Sequence, residues 1–210
     1  MKLYGYWRSG AAYRLRIAFG LKGLDWEDMP VNLLAGDQQS EAFRSLNPIG
    51  LVPVLELDDG AALSQSLAIL DWLDRSHPEP PLFPENPVAR ARVMAAGMTI
   101  AVDTHPLQNV GVVKHLKSAY GVDQQGGVDW MIHWMDRGFA AFQKMCEPNA
   151  PFAFGEEPSF ADICLIPQLY NAHRWEMDLS SYPRLTEIEA RCLALPAFEA
   201  ARPENRPDAA

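Results

Sequence analysis

Residues 51–70 read LVPVLELDDGAALSQSLAIL and contain an alternating pattern followed by a helical one. Apolar residues in Val52–Leu57 and Ala62–Leu63 flank Asp58-Asp59-Gly60, a turn sequence typical of a β-hairpin. Apolar residues then recur at helical spacing through Gln65–Ser76, which predicts a helix directly after the hairpin. The stretch therefore predicts two antiparallel strands followed by a helix.

Alternating strands and helices precede this hairpin. Short runs rich in aliphatic and aromatic residues predict strands at Lys2–Tyr6 and Trp26–Asn32. Helical patterns with stop and start signals predict helices at Ala11–Lys22 and Ser40–Leu46. The order β-α-β-α-β-β-α implies one small sheet covered by helices, which we place in a first domain at residues 1–80.

The composition changes at His77–Pro87. This segment holds five prolines in eleven residues, which excludes a helix or a central strand and predicts a linker. Every apolar pattern beyond it has helical spacing, so residues 88–210 are expected to form an all-helical domain. The first helix of that domain is predicted at Val88–Leu116, with a kink or break at Pro106.

Three further features complete the helical domain. Apolar residues at helical spacing predict a helix through Val128–Phe142, and another is expected near Leu185–Leu195. Between them, Ser159-Phe160-Ala161-Asp162 resembles a capping box that opens a helix.

The tail Arg202–Ala210 is polar and broken by prolines, so a mobile end is expected. The predicted fold class is α/β plus all-α.

The composition is that of a globular protein. Hydrophobic residues make up 48% of the 210 residues and charged residues 21%, which excludes a disordered chain, a collagen-like fibre and a coiled coil. The 18 basic and 27 acidic side chains give a net charge of −9, so neither nucleic acid nor a membrane is an expected partner. No apolar run reaches the roughly 18 residues of a membrane span, and no secretory signal is evident.

The cysteines Cys146, Cys164 and Cys192 form an odd, widely spaced set without a CxxC pair. A disulfide framework and a metal site are therefore not expected, and a reducing cytoplasm fits. Small buried apolar residues are the favoured interpretation of all three. The sequence also lacks a GxGxxG after a strand, a P-loop, a GxSxG and an HExxH, so no nucleotide site or nucleophile triad is indicated.

Arg8-Ser9-Gly10 lies between a predicted strand and a predicted helix. A helix N-terminus has free N–H groups and a partial positive charge, so a serine there can donate a hydrogen bond to an anion such as a thiolate. Such a position also lowers the pKa of a thiol. On this feature alone, a serine that only caps the helix is the more frequent case.

Two other segments lie where a predicted strand is broken or ends, and both have polar groups that a ligand could use. A proline within Leu51-Val52-Pro53-Val54 marks an edge strand or a cis bond, and a cis bond would leave the Val52 backbone free to pair with an extended peptide. Gln65 and Ser66 stand where a strand ends and a helix begins, where they can hold a carboxylate or simply cap the helix.

Two residues of the helical domain are weaker candidates. His105 lies beside the expected helix break and is either a ligand contact or a structural histidine. Arg174 can pair with a carboxylate through its planar guanidinium, or it can form an ordinary salt bridge.

Together these residues resemble the glutathione transferases, and specifically the zeta class, which includes maleylacetoacetate isomerase and the bacterial maleylpyruvate isomerases. The zeta signature is Ser-Ser-Cys, two residues, then Arg-(Val/Leu)-Arg-Ile-Ala-Leu, and it corresponds here to residues 8–19. Further matches, within residues 2–207, are Leu46-Asn47-Pro48, Val52-Pro53, Gln65–Ile69, His105–Asn109, Phe160–Gln168 and Asp178–Pro183.

The resemblance implies a thioredoxin-like domain at 1–80 that binds glutathione, followed at 88–210 by the helical glutathione-transferase domain that contributes the substrate site. It implies a cytoplasmic homodimer that acts in aromatic catabolism. The implied activity is glutathione-dependent cis–trans isomerisation of a maleyl keto diacid, either maleylpyruvate or maleylacetoacetate. In that reaction the glutathione thiolate adds to the cis double bond, the bond rotates, and elimination leaves the trans product.

The resemblance also implies roles for residues of the first domain. Ser9 would hydrogen-bond the glutathione sulfur at the helix end that begins with Gly10 and Ala11. The Val52 backbone, before a cis Pro53, would pair with the cysteinyl unit of the peptide.

The other implied contacts involve both domains. Gln65 and Ser66 would hold the γ-glutamyl carboxylate, and Arg8 and Arg174 are the candidates for the carboxylates of the substrate. The positions that would line the remainder of the peptide are Gln39, His105 and Asn109.

The sequence departs from the family pattern at two places. Gly10 and Ala11 replace the second serine and the cysteine of the signature, so chemistry by a protein thiol is not expected there. Val110-Gly111 stands where some maleylpyruvate isomerases carry arginines, which leaves the diacid open. Two alternatives are a broader transferase or lyase acting on aromatic or halogenated electrophiles, and a non-enzymatic ligand-binding protein.

Overall fold

The computed structural model of the protein describes residues 1–209. It divides into two compact units: Met1–Leu82 with the chain from Leu193 onward, and Phe83–Cys192. The boundary between Leu82 and Phe83 falls within His77–Pro87, which forms neither helix nor strand before Pro87. Within residues 1–209, no helix combines the length and the apolar character needed to cross a bilayer.

The first unit has the predicted element order. Its β3 begins only after Pro53, two residues later than expected, and the other predicted bounds shift by no more than two residues. Ser9 and Ser40 each cap a helix with the side-chain oxygen, which explains where α1 and α2 start. The elements are β1 Lys2–Gly5, α1 Gly10–Leu21, β2 Glu27–Pro30, a 3₁₀ turn Asp37–Gln39, α2 Glu41–Leu46, β3 Val54–Glu56, β4 Ala62–Ser64 and α3 Ser66–Ser76.

The four strands form one mixed sheet in the order β2-β1-β3-β4. Strand β1 is parallel to β2 and antiparallel to β3, and β4 is antiparallel to β3. Tyr4 is paired with Val54, and Val54 is paired with Ser64. The end of β1, the start of β3 and the end of β4 therefore lie side by side at one end of the sheet.

Both faces of the sheet are covered. On one face Val54 packs with Phe43 of α2 and with Val31. Because side chains alternate along a strand, the fully buried Leu3 and Leu55 point to the other face. There α1 and α3 contact each other and supply most of the remaining buried apolar side chains. This is the thioredoxin-like arrangement predicted for the first domain.

The second unit is helical throughout its regular structure, as predicted. The expected break at Pro106 is confirmed, since Val88–Leu116 is divided between two helices by a short 3₁₀ segment. The elements of this unit are α4 Pro87–Ala101, the 3₁₀ turn His105–Gln108, α5 Val110–Tyr120, α6 Gln124–Met145, α7 Phe160–Arg174 and α8 Pro183–Leu193, whose last residue belongs to the first unit.

Helix α7 is the core of the second unit, because its residues from Phe160 to Leu169 are all buried. Helix α4 approaches it closely at Gly97, where an added Cβ would lie 2.4 Å from the Phe160 ring. A side chain at position 97 would force the two helices apart.

The capping box predicted at the start of α7 is confirmed. The fully buried carboxylate of Asp162 accepts the N–H of Ser159 at 2.9 Å and the Ser159 hydroxyl at 2.9 Å. Its other oxygen accepts the N–H of Ala153 at 2.8 Å. Burial raises the pKa of this carboxyl, and these hydrogen bonds oppose the rise.

The chain after α8 returns to the first unit, where α9 (Pro196–Ala200) packs against α1. An added Cβ at Gly20 of α1 would lie 3.1 Å from that of Ala197. The predicted 88–210 domain therefore differs from the structure in this last segment.

The mobile end expected for Arg202–Ala210 is wrong for residues 202–209, while Ala210 lies outside the described residues. Pro203 is buried, and Arg206 donates to the Asp28 carboxylate at 3.0 Å and to the carbonyl of Ala200 at 2.7 Å. The bond to Asp28 joins residues 178 positions apart in the sequence, so local composition did not reveal it.

We expect Asp162→Ala to lower the free energy of unfolding by about 3 kcal/mol or more, because it leaves three buried donors without their acceptor. Urea denaturation followed by circular dichroism measures this. The matched control is Asp129→Ala at an exposed position of α6, expected to change stability by less than about 0.5 kcal/mol. If Asp162→Ala lowers the free energy of unfolding no more than Asp129→Ala does, the three hydrogen bonds to Asp162 do not stabilise the fold as expected.

Candidate functional site

One end of the sheet gathers three of the segments singled out in the sequence. The pairing of Tyr4 with Val54 and of Val54 with Ser64 places the loop after β1, the residues before β3 and the residues after β4 next to one another. We call the five residues of these segments the sheet-end site, which consists of Ser9, Val52, Pro53, Gln65 and Ser66.

Ser9 is held at the N-terminus of α1 by the backbone. Its N–H donates to the carbonyl of Tyr6 at 2.8 Å, and its side-chain oxygen accepts the N–H of Ala12 at 3.3 Å. Its hydroxyl hydrogen has no acceptor within residues 1–209. The serine thus caps the helix and still has a hydrogen bond to donate, so capping and ligand binding do not exclude each other.

The start of α1 is electrostatically suited to an anion. Gly10 and Ala11, the first two helical residues, add no charge, and no acidic residue lies in the first turn. The free N–H groups and the partial positive charge of the helix end are therefore not neutralised by the helix itself.

The Val52–Pro53 peptide bond is cis, as the family resemblance implied. Strand β3 starts at Val54, and within the described residues no backbone hydrogen bond uses the N–H or C=O of Val52. Val52 therefore presents an unpaired backbone edge beside the end of β1, where an extended peptide can add two hydrogen bonds.

Gln65 and Ser66 form the start of α3. Gln65 has a φ of 69°, unusual for a residue with a side chain, and its exposed amide makes no capping bond. Ser66 is buried, and its hydroxyl oxygen accepts a hydrogen bond from Arg14 Nη1 at 3.2 Å. The helix end therefore carries a serine backed by a buried guanidinium, which suits a carboxylate ligand.

Arg8 stands in the loop immediately before Ser9. Its guanidinium lies 4.4 Å from the centroid of the Trp7 ring and donates to the Tyr6 hydroxyl at 3.2 Å. Its Nε is buried without a hydrogen-bond partner among residues 1–209. Stacking on tryptophan holds the planar cation of Arg8 in place. Its remaining N–H donors can bind an anion in addition to the one suited to the start of α1.

The remaining predicted residues have different surroundings. Gln39 ends the first 3₁₀ turn, and its side-chain amide donates to the carbonyl of Gly50 at 3.2 Å. The other three lie in the second unit: His105 begins a 3₁₀ turn, Asn109 precedes α5, and Arg174 ends α7 with its guanidinium 4.6 Å from the Trp175 ring.

Comparisons with known proteins show which chains this one resembles. Residues 3–81 match the family model of the glutathione S-transferase N-terminal domain, and residues 135–191 match that of the C-terminal domain. The probable maleylacetoacetate isomerase of Vibrio cholerae is 44% identical over 210 residues, covering 99% of this chain and 97% of the relative.

Two solved structures are also similar along the full chain. The holo structure of a maleylpyruvate isomerase, a bacterial glutathione S-transferase of the zeta class, has a TM-score of 0.97 at 38% identity. The maleylacetoacetate isomerase of Methylobacterium extorquens, with bound malonate and glutathione, has a TM-score of 0.96 at 38% identity. In both cases, 100% of each chain is covered.

The chain is a zeta-class glutathione S-transferase.

The cysteines of this transferase are not suited to thiolate chemistry. Cys146, Cys164 and Cys192 are all buried, and none of them forms a disulfide. Burial raises the pKa of the Cys146 thiol to about 12 and that of Cys192 still further. With Gly10 and Ala11 at the signature positions, any reactive sulfur at the sheet-end site comes from a ligand.

No metal-binding cluster is present in the described part of the transferase, where no three His, Cys, Asp or Glu side chains lie together as an ion would require. The polar groups that converge at the sheet end are hydroxyl, backbone and guanidinium donors, which bind anions.

Sequence reasoning missed two residues that contact the predicted site residues. It gave no role to Arg14, although an arginine within an otherwise apolar helix pattern signals a buried and partnered cation. It also missed Tyr6, whose hydroxyl contacts Arg8. No local pattern in the sequence identifies the contact between Arg14 and Ser66, because 52 residues separate them.

Proposed function

We propose that this transferase binds glutathione at the sheet-end site and uses it as a coenzyme to isomerise a maleyl keto diacid, maleylpyruvate or maleylacetoacetate, from cis to trans. The observation that carries the proposal is Ser9, whose hydroxyl keeps a hydrogen to donate at the N-terminus of α1 beside the unpaired backbone of Val52. The similarity over the full chain to proteins named as these isomerases supports it.

The residues of the sheet-end site fit an anionic thiol tripeptide. Ser9 donates to the sulfur, the backbone of Val52 before Pro53 pairs with the cysteinyl unit, and Gln65 with Ser66 binds the γ-glutamyl carboxylate. The buried Arg14, which donates to Ser66, favours the negative charge of this carboxylate. The N-terminus of α3 favours it as well, because its first turn has no acidic residue. Three further residues are proposed to line the remainder of the peptide: Gln39, His105 and Asn109.

When bound, glutathione supplies a thiolate that adds reversibly to the cis double bond, which allows rotation before the sulfur leaves. The protein favours the ionised sulfur, because the Ser9 hydroxyl and the N–H groups at the start of α1 stabilise a negative charge but not a neutral thiol. These donors are fixed by the backbone before the ligand arrives, so no reorganisation opposes the reaction.

The carboxylates of the diacid require cations, and we propose Arg8 and Arg174 for this role. Arg8 is adjacent to Ser9 and retains a buried Nε without a partner among the described residues. Arg174 is exposed at the end of α7 and stacks on Trp175. Both guanidiniums suit bidentate recognition in a chain whose net charge of −9 would otherwise repel a dianion.

We also place the enzyme in the cytoplasm as a homodimer. The three buried cysteines form no disulfide, which fits a reducing compartment in which glutathione is available. Val88, Met98 and Val102 expose apolar side chains along α4 and just beyond it, which favours cover by a second copy. A mass of 23.4 kDa in sedimentation equilibrium would contradict the dimer.

The function is tested by incubating the protein with each maleyl diacid, with and without glutathione. We expect conversion to the fumaryl isomer only when glutathione is present, with the glutathione concentration unchanged at the end. Proton NMR follows the vinyl protons, and a thiol assay follows glutathione. Stoichiometric consumption of glutathione, or turnover in its absence, would contradict the coenzyme role, and consumption would instead favour an ordinary conjugating transferase.

The role of Ser9 is tested with Ser9→Ala. Loss of the donor should raise the pKa of bound glutathione and lower kcat by about tenfold or more at neutral pH. The absorbance of the thiolate against pH gives the pKa. Ser45→Ala, at an exposed hydroxyl of α2, is the control and should leave the titration unchanged. An unchanged titration in Ser9→Ala would remove this serine from the mechanism.

Arg174 is tested with Arg174→Ala. If its guanidinium binds a substrate carboxylate, KM for the diacid rises about tenfold or more while the affinity for glutathione is retained. The control is Arg191→Ala, which removes an exposed arginine from α8 in the same unit. A loss of glutathione affinity in Arg174→Ala would mean that this residue binds the coenzyme and not the substrate.

A further inference from the structure

Both polar groups of the Trp7 backbone form hydrogen bonds with side chains from other segments of the first unit. Its N–H donates to Oδ2 of Asp208 at 3.1 Å, across 201 residues of sequence. Its carbonyl accepts Nη2 of Arg16 at 3.0 Å. Trp7 lies in neither a helix nor a strand, so these two bonds fix a backbone segment that no secondary structure holds.

That segment is the turn that presents Ser9. The N–H of Ser9 donates to the carbonyl of Tyr6 at 2.8 Å, which closes a four-residue turn with Trp7 and Arg8 at its centre. The conformation at Trp7 therefore sets where Arg8 and Ser9 point. A shift of the turn would move the Ser9 hydroxyl relative to the end of α1.

The Asp208 carboxylate is itself anchored through the segment before it. The buried Arg16, which holds Trp7, also donates from Nε to the carbonyl of Ala201 at 3.0 Å. Arg206 bonds to Asp28 at 3.0 Å and to Ala200 at 2.7 Å. The C-terminal segment thus reaches Trp7 as an ordered part of the first unit.

We propose that Asp208 is a positioning residue for glutathione chemistry, because its carboxylate fixes the Trp7 turn that orients Ser9 towards the sulfur. The inference rests on the proposed role of Ser9. Asp208 touches neither coenzyme nor substrate in this account, and its effect is carried through the hydrogen bond to the Trp7 N–H.

The test compares three variants in the full chain. Asp208→Ala removes the acceptor, Asp208→Asn keeps an oxygen acceptor but removes the charge, and Asp25→Ala removes an exposed carboxylate elsewhere in the same unit. The readouts are the thiolate absorbance of bound glutathione against pH, kcat and KM, the melting temperature, and hydrogen exchange of the Trp7 amide in the protein without ligand.

We expect Asp208→Ala to raise the pKa of bound glutathione in the same direction as Ser9→Ala, but by less. At neutral pH kcat should fall roughly two- to tenfold, the range that one hydrogen bond supports. The Trp7 amide should exchange faster. Asp208→Asn should restore the wild-type pKa and exchange rate, and Asp25→Ala should match the wild type in all readouts.

An unchanged glutathione pKa in a folded Asp208→Ala would overturn the inference, as would a failure of Asp208→Asn to restore it. If Asp208→Ala does not fold, Asp208→Glu displaces the carboxylate by one methylene and should give a smaller shift in the same direction, and no shift would overturn the inference. A normal titration in Ser9→Ala would instead refute the proposed role of Ser9, so the two failures are distinguishable.

Discussion

The pairing register of β1, β3 and β4 brings the residues of the sheet-end site together. Because β3 runs antiparallel to β1 and β4 runs antiparallel to β3, three chain segments that follow or precede strands meet at one end of the sheet. A slip of β3 by one residue against β1 would turn Val54 away from the core and carry the unpaired Val52 backbone to the wrong face. The burial of Phe43, Val31 and Val54 on one face therefore protects the geometry of the site.

Anion binding in a chain with a net charge of −9 depends on local arrangement. Two helices begin at the sheet-end site without an acidic residue in the first turn, and arginines stand beside each start. Arg14 is buried against Ser66, whereas Arg8 is stacked on an aromatic ring. Because both guanidiniums are held in place, they do not swing out to pair with acidic side chains on the surface. Their positive potential therefore remains at the site where an anionic peptide would bind.

Local chemistry explains which parts of the fold could be predicted from the sequence. The turn Asp58-Asp59-Gly60, the break at Pro106 and the box formed by Ser159 and Asp162 each act within a few residues, and the structure has all three. Strand bounds were less accurate, since β3 begins only beyond Pro53. Ser9 and Ser66 were recognised because each stands where a helix starts.

Most of the contacts that escaped prediction join residues distant in sequence. Arg206 donates to the carboxylate of Asp28 across 178 residues, so a polar tail broken by prolines was expected to be mobile although it is bound to the first unit. Arg14 behind Ser66 was missed for the same reason. Side chains such as Gln39 and Asn109 carry no local signal, and only the resemblance to a family singled them out.

The backbone of Gln65 has an evolutionary consequence. Its φ of 69° lies in the region that glycine enters at little cost and that other residues rarely adopt. A random library of this chain selected only for folding should therefore drift towards glycine at position 65, whereas selection for ligand binding should retain the amide. A comparison of the residues recovered at position 65 would show whether folding stability or ligand binding determines which side chain is kept there.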